Sequence, residues 1–354
     1  MAGYILKDAS GNPLPVAGEG TTSQSGAAYT YSPGDGNVVI CTNTASQVIT
    51  LPTAASAVNK TVYFCDGNNG WGDNPTVIVP NGSETIGGGS EVVCFIKNGL
   101  CGLTSDGTNW FVSAGDFKPF FNSGSIDFDG VNDYVYAADN DNFDLTGELS
   151  ISAWYYCIDS DQSNYNSICA HRSDPTPYCN YQLYLFTGTG YISFYSRQNG
   201  TTNYNEIIST TAPTTSAWHH VVVTIDASKN IAIYHDGSSV HTATMTYDLG
   251  VTAGNRLAMG RPGASNGGGT SEFFDGKISQ CTIWNKELTS SEVTTLYNSG
   301  SPVDPRRLHY NKIKGCFLNS DGFEDSSGSV VYNEAKFYNE AVLTNGAAFS
   351  TDNP

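Results

Sequence analysis

Apolar and polar residues alternate with a period of two along most of this chain, and one stretch alone carries the signals of a helix. In Ala217–Gly237, AWHHVVVTIDASKNIAIYHDG, Val221, Val223 and Ile225 alternate with Val222, Thr224 and Asp226. One face is wholly apolar and the other mixed, which predicts a strand. Asp226 to Asn230 supplies turn formers, Ile231 and Ile233 resume the alternation, and Asp236-Gly237 closes it. Such a hairpin must lay its apolar face on a second sheet. Between Tyr31 and Gly115, short runs recur at Asn37–Asn43, Gln47–Leu51, Thr61–Cys65, Thr76–Val79, Glu91–Lys97, Leu100–Ser105 and Trp110–Ser113. Their even spacing predicts a small β-sandwich or barrel. The expected helix starts at the capping box Thr289-x-x-Glu292 before Val293, Leu296 and Tyr297, and Gly300 and Pro302 stop it.

Composition supports an all-β chain of two or three domains: 354 residues include 38 Gly and 21 Tyr, with few helix formers. Lys and Arg total 16 against 34 Asp and Glu, a formal charge of −18. That balance argues against nucleic acid or an anionic membrane as a partner. No apolar run approaches the roughly 20 residues of a membrane helix. The first residues, MAGYILKDASGNPLP, lack the basic and apolar regions of a secretory signal. Nine cysteines at long intervals form no C-x-x-C pair, which disfavours zinc and predicts buried thiols. Cys169 and Cys179 are the pair to test for a local cross-link.

Residues 1–30 are too poor in apolar residues to fold alone. They read either as a disordered tail or as an extended arm anchored by Tyr4, Ile5 and Leu6. A small β-module is expected over 31–115. Within it, VITLPTAASAVNKTVYFCDGNNG, Thr85-Ile86-Gly87 and Ser105-Asp106-Gly107-Thr108-Asn109-Trp110 resemble a module of tailed-phage fibre, spike and other virion proteins. The resemblance implies a structural, commonly trimeric unit without enzymatic activity. Residues 116–122, DFKPFFN, read as a linker whose Phe117, Phe120 and Phe121 pack between domains. From Ser123 the marks are Phe128-Asp129-Gly130, Asp133-Tyr134-Val135, Ile151-Ser152-Ala153-Trp154, Trp218-His219-His220-Val221, Asp236-Gly237, Phe274-Asp275-Gly276 and Ile283-Trp284-Asn285. In this order they resemble the laminin-G-like, concanavalin A-type jelly roll, expected over 123–354.

Relatives of that jelly roll include glycoside hydrolases, whose chemistry needs two carboxyl groups about 5–10 Å apart. The Glu-x-Asp-x-Glu run of the glucanases is missing here, which predicts no enzyme. His219 and His220 lie on opposite faces of a strand and cannot share one ion. The relatives carry the same Trp-His-His, which implies a structural role. His235 stands where an aliphatic residue is usual, and the sequence offers no account of it. The pentraxin calcium site is expected to be missing, because Arg261–Ser271 holds no acid before Glu272. Asp139, Asp141 and Asp144 are the densest oxygen cluster left, either a solvated turn or a loop holding calcium, the one possible cofactor. Sugars stack on aromatic faces and bond to Asn, Asp and Arg. Tyr165, His171, Arg172, Asp174, Tyr178 and Tyr181, with Tyr204 and Arg261, therefore make a candidate glycan patch on loops.

Together the two resemblances imply a virion surface appendage, a head or tail fibre-like homotrimer assembled in the host cytoplasm. Its arm would dock on other virion structural proteins, and its lectin-like domain would meet a host-surface glycan. A capsid decoration protein that binds no sugar is the first alternative, and a hydrolase of concanavalin A-like fold the second.

Overall fold

The computed structural model describes residues 20–115, 117–158, 165–172, 179–198, 201–251, 254–261, 272–317, 330–331 and 341–354. Two compact units emerge: the chain up to Phe121 together with Arg306–Asn311, and Asn122–Pro305 together with Lys312–Pro354.

The first unit has two five-stranded sheets. One runs Thr21–Gln24, Val38–Cys41, Thr61–Asp66, Leu100–Ser105, Trp110–Ala114; the other runs Pro119–Phe120, Glu91–Cys94, Thr76–Val79, Gln47–Thr50, Ala28–Thr30. The expected strands are all present, but the first three of the chain in each sheet pair in parallel. Parallel neighbours need a crossover of a dozen or so residues. Here the strands of the opposite sheet supply it, so the chain alternates between sheets before antiparallel strands close the unit. Val39, Ile49, Phe64, Ile78, Leu103 and both Trp71 and Trp110 fill the space between.

The motif residues of this unit converge. Asp106 Oδ1 accepts from the amides of Thr108 and Asn109 at 2.7 and 2.8 Å, and Gly107 turns the chain with φ +96°. Asn109 Oδ1 then accepts from the Thr85 amide at 2.8 Å. Buried Trp110 donates its indole N–H to Pro52 O at 3.3 Å, and its amide to Thr85 O at 2.9 Å. These residues lock three distant segments together, a structural task.

Several boundaries differ from expectation. Thr21–Gln24 and Ala28–Thr30, in the stretch read as an arm, are edge strands, while Tyr4, Ile5 and Leu6 lie outside the described residues. In the stretch read as a linker, Pro119–Phe120 is a strand of the first unit and Phe117 packs edge-on to Trp71 at 5.9 Å. Arg306–Asn311, expected in the jelly roll, also belongs to the first unit. Tyr310 stacks on Phe95 at 4.1 Å, and Arg307 lies 3.6 Å from the buried Glu91 carboxylate. Such long-range packing has no local sequence signal.

The second unit is a sandwich of two antiparallel eight-stranded sheets. The first sheet runs Ser238–Thr244, Asn230–His235, Trp218–Ile225, Leu149–Cys157, Asp275–Trp284, Ser125–Asp129, Ala348–Ser350, with Ile313–Phe317 also paired to Asp275–Trp284. The second sheet runs Tyr204–Ile208, Ile192–Arg197, Cys179–Leu185, Asn166–Arg172, Arg256–Met259, Tyr134–Ala137, Ala341–Thr344, Val330–Val331. Val221, Val223 and Ile225 face the core with Ile231 and Ile233, as the alternation predicts. All nine cysteines are buried and none is in a disulfide.

Helix Ser290–Tyr297 carries the expected capping box: Thr289 Oγ1 accepts from the Glu292 amide, and Glu292 accepts from the Thr289 amide. It ends on Asn298, whose left-handed φ of 44° makes the C-cap in place of the expected Gly300. Val293 and Leu296 are buried, and Tyr297 stacks on Trp154 at 5.9 Å and His220 at 6.2 Å. The helix thereby covers the outward side of the first sheet there. Thr289→Ala is expected to cost about 1 kcal/mol in denaturant unfolding, while Thr289→Ser stays within a few tenths.

Candidate functional site

Residues directly opposite on antiparallel strands point to the same face. One row across the second sheet, Ile207, Phe194, Leu183, Cys169, Met259, Val135 and Leu343, is apolar throughout and belongs to the core. One residue along each strand, the outward row reads Glu206, Tyr195, Gln182, Ala170, Ala258, Tyr136 and Val342. Its centre is covered, with Ala170, Ala258 and Gln182 buried, while Glu206 and Val342 at its ends are exposed.

The exposed end gathers aromatic, cationic and anionic side chains on one surface. Tyr204, 50% exposed, stacks on Tyr195 with centroids 5.5 Å apart and planes 23° from parallel. Arg197 faces Tyr204 across the ladder and donates from Nε to Tyr195 Oη at 2.6 Å. Glu206 pairs with Tyr195 and accepts from Tyr184 Oη at 3.0 Å. Burial and the neighbouring Glu206 charge raise the Tyr184 phenol above its usual range, so it remains a donor. A ring face, a guanidinium and a carboxylate thus share one surface. Beside the covered centre, Arg172 Nη1 donates to Glu272 Oε2 at 2.9 Å and to Gln182 Oε1 at 3.2 Å. On the far side, Arg256 lies over Tyr136 at 4.8 Å, and Arg261 lies over Tyr134 and Phe273 at 5.3 Å each.

Of the glycan candidates, Tyr165, Arg172 and Tyr204 belong to this outward face; Tyr165 sits edge-on to Tyr184 and Phe186 at 5.5 Å. His171 and Tyr181 do not. Both are fully buried, because Asn166–Arg172 and Cys179–Leu185 are strands rather than loops, and alternation turns these two inward. Tyr181 Oη donates to Phe143 O at 3.1 Å. His171 Nδ1 accepts from Asn180 Nδ2 at 2.8 Å. Arg261 is buried at 9% exposure between its two rings. Asp174 and Tyr178 lie outside the described residues. Tyr195, Arg197, Tyr184 and Glu206 escaped sequence reading, although Tyr195 and Arg197 occupy the polar positions of ISFYSR.

The acidic segment is a capped turn. Asn140 Oδ1 accepts from the Asn142 amide, Asp139 Oδ2 from the Gly254 amide, and Asp144 Oδ1 from Asn180 Nδ2. Burial, then the charges of Asp139 and Asp141, raise the Asp144 carboxyl. Asp139, Asp141 and Asp144 do not bring ligand oxygens within 4.8 Å of one another; among the described residues, His219, His235 and Asp236 alone form such a group.

These features define a lectin-like jelly roll with an aromatic outward face. Residues 129–294 match the family model described as concanavalin A-like lectin/glucanases superfamily, so a concanavalin A-like domain occupies that stretch. No curated protein matches the chain. Among solved structures, a Bacteroides ovatus protein described as carbohydrate binding is 17% identical, covers 78% of this chain and 69% of its own, and has a TM-score of 0.47. CBM40 of the Ruminococcus gnavus IT-sialidase is 14% identical, covers 49% of this chain and 96% of its own, with a TM-score of 0.41. The heptameric SAP-like pentraxin of Limulus polyphemus is 17% identical, covers 50% and 82%, and scores 0.37. At these scores none of them bears on what this chain binds.

Proposed function

We propose that this chain is a non-catalytic carbohydrate-binding protein of a tailed-phage virion surface, a fibre-like homotrimer. Its jelly roll would meet host glycans through the Tyr204–Tyr195–Arg197–Glu206 surface. The observation that carries the reading is the outward face, whose stacked tyrosines, arginine and glutamate sit on the side of the sheet opposite a wholly apolar inward row. The virion part rests on the first unit, whose Pro52, Thr85–Gly87 and Ser105–Trp110 motifs resemble those of phage virion modules. A non-catalytic site fits the partners of the two outward glutamates: Glu272 pairs with Arg172, and Glu206 accepts from Tyr184. The net charge of −18 fits a partner that is neither nucleic acid nor anionic membrane.

A glycan array, followed by titration of the sugars that bind, tests the reading. Tyr204→Ala and Arg197→Ala are each expected to weaken binding about tenfold or more, the usual cost of losing a stacked or bidentate anchor. Binding of no glycan would remove the sugar part and favour a decoration protein. Release of reducing sugar from a polysaccharide would replace it with a hydrolase. Immunogold labelling of phage particles and light scattering at micromolar concentration test the virion and trimer parts.

A further inference from the structure

The open end of the Trp218–His235 hairpin, away from its Asp226–Asn230 turn, holds a cluster outside the proposed glycan surface. His235 is paired with Val221, and alternation puts it on the same inward face as His219. Asp236 follows at a left-handed φ of 48°, a conformation Asp tolerates better than most residues, which turns its carboxylate back onto both rings. Asp236 Oδ2 lies 2.8 Å from His219 Nδ1 and 3.8 Å from His235 Nδ1. The two rings are 4.7 Å apart, centroid to centroid.

The outer nitrogens are already engaged. His219 Nε2 lies 3.1 Å from the carbonyl oxygen of Thr214 and 2.9 Å from its hydroxyl. His235 Nε2 lies 3.2 Å from Tyr155 Oη. At 2.8 Å, His219 Nδ1 and Asp236 Oδ2 share a proton. An ion taking that proton's place would leave each Nε2 to donate an N–H to these oxygens, and would meet both Nδ1 lone pairs and the carboxylate oxygen. Oxygen partners that hold the remote ring nitrogen in this way are the usual setting of metal-bound histidine. Asp236 Oδ1 is held by the His220 amide at 2.8 Å, which orients the carboxylate.

We propose that His219 Nδ1, His235 Nδ1 and Asp236 Oδ2 bind one divalent transition-metal ion of the zinc class. Three nitrogen and oxygen ligands suit such ions. Bonds of roughly 2.0–2.1 Å place tetrahedral ligands about 3.3 Å apart. One ligand atom from each of the three residues lies within 4.8 Å of the others, so shifts of ångström scale close the site. Both histidine side chains are 10–11% exposed and Asp236 is 31% exposed, which leaves a water-accessible position for a fourth ligand. His220 takes no part: it faces the other way, packed against Trp154 with centroids 4.9 Å apart and planes 34° from parallel, and with Nε2 2.9 Å from Ser152 Oγ.

The test is calorimetric titration of the full, EDTA-stripped chain with Zn²⁺, repeated with Co²⁺ to read the ligands by absorption. The expected result is one equivalent bound, with Co²⁺ d–d bands and no thiolate charge-transfer band. His235→Val and Asp236→Asn should each weaken Zn²⁺ by roughly 100-fold or more, since losing even a partner that only orients a ligand costs about 10–100-fold. Asp236→Asn keeps the acceptor for the His220 amide, so it carries the test if His235→Val fails to fold. No Zn²⁺ or Co²⁺ binding by the wild type would overturn the proposal. So would thiolate bands, or variants that bind Zn²⁺ as tightly as the wild type.

Discussion

Gly276→Ala is expected to destabilise the jelly roll by about 3–5 kcal/mol, a large share of the stability of an ordinary domain. Gly276 pairs with Phe128 on one side and Cys157 on the other, so the two Phe-Asp-Gly segments face each other across the ladder, Asp129 opposite Asp275. At that point the backbone has φ +136°, which L side chains rarely adopt, and an added Cβ would stand 1.9 Å from Tyr156 O. The obstacle is backbone inside a central strand pair, so neither partner can move without breaking the ladder. Gly147→Ala is the control: it is exposed and its added Cβ meets no atom within 4 Å, so the change should stay within about 0.5 kcal/mol. Denaturant unfolding followed by tryptophan fluorescence reads both, because Trp154, Trp218 and Trp284 report the second unit and Trp71 and Trp110 the first. The second unit's transition should fall while the first unit's stays in place. A loss under about 1 kcal/mol would mean that the strand relaxes around the new methyl group.

What alternation states about a strand, the sequence made readable; what depends on the strand's neighbours, it did not. The first unit's strands fall where period-two runs predict them, but side-chain parity is the same in parallel and antiparallel ladders. The parallel pairing of Val38–Cys41 with Thr61–Asp66 was therefore invisible. His171 and Tyr181 drop out of the candidate glycan patch for a related reason. Reading Tyr165–Tyr181 as a loop gave every polar side chain equal access to water, whereas in strands one position decides between core and surface. His171 and Arg172 are adjacent, and one is fully buried while the other carries the Glu272 ion pair on the outward face. The parity of ISFYSR marks Tyr195 and Arg197 as a pair. That this face is the outward one follows only when Phe194 meets Leu183 and Ile207 in the core. The same holds for His235: one histidine in an apolar alternation has no partner until the hairpin register brings His219 and Asp236 to it.

Mild acid is expected to weaken the second unit through His171. Its ring is fully buried, with Nε2 donating to Asn255 O at 3.2 Å and Nδ1 accepting from Asn180, a set that suits the neutral form. Burial lowers its pKa to about 4, against 6.5 for an ordinary histidine; the charge of Asp139 acts the other way, and Asp144 stands 4.0 Å from Nδ1. Above pH 6.5 the ring is neutral whether the chain is folded or unfolded, and it costs nothing. Between 6.5 and about 4 the unfolded chain takes up a proton that the folded one refuses, so stability falls with pH throughout that window. The full loss is about 3 kcal/mol, 1.36 for each unit of separation. Asp144 opposes it in part. Its raised carboxyl is protonated more readily in the folded state, a contribution present in acid and lost as pH rises through its folded value. His220, lowered to about 3 by burial, acts in the same direction as His171 but is common to the wild type and a His171→Gln variant, so it cancels between them. The variant should be less stable at pH 7, because it loses the buried ring's contacts, and should show a shallower decline toward pH 4. Urea unfolding at half-unit steps of pH reads the difference, and parallel curves for the two proteins would mean that the ring is protonated in the folded state.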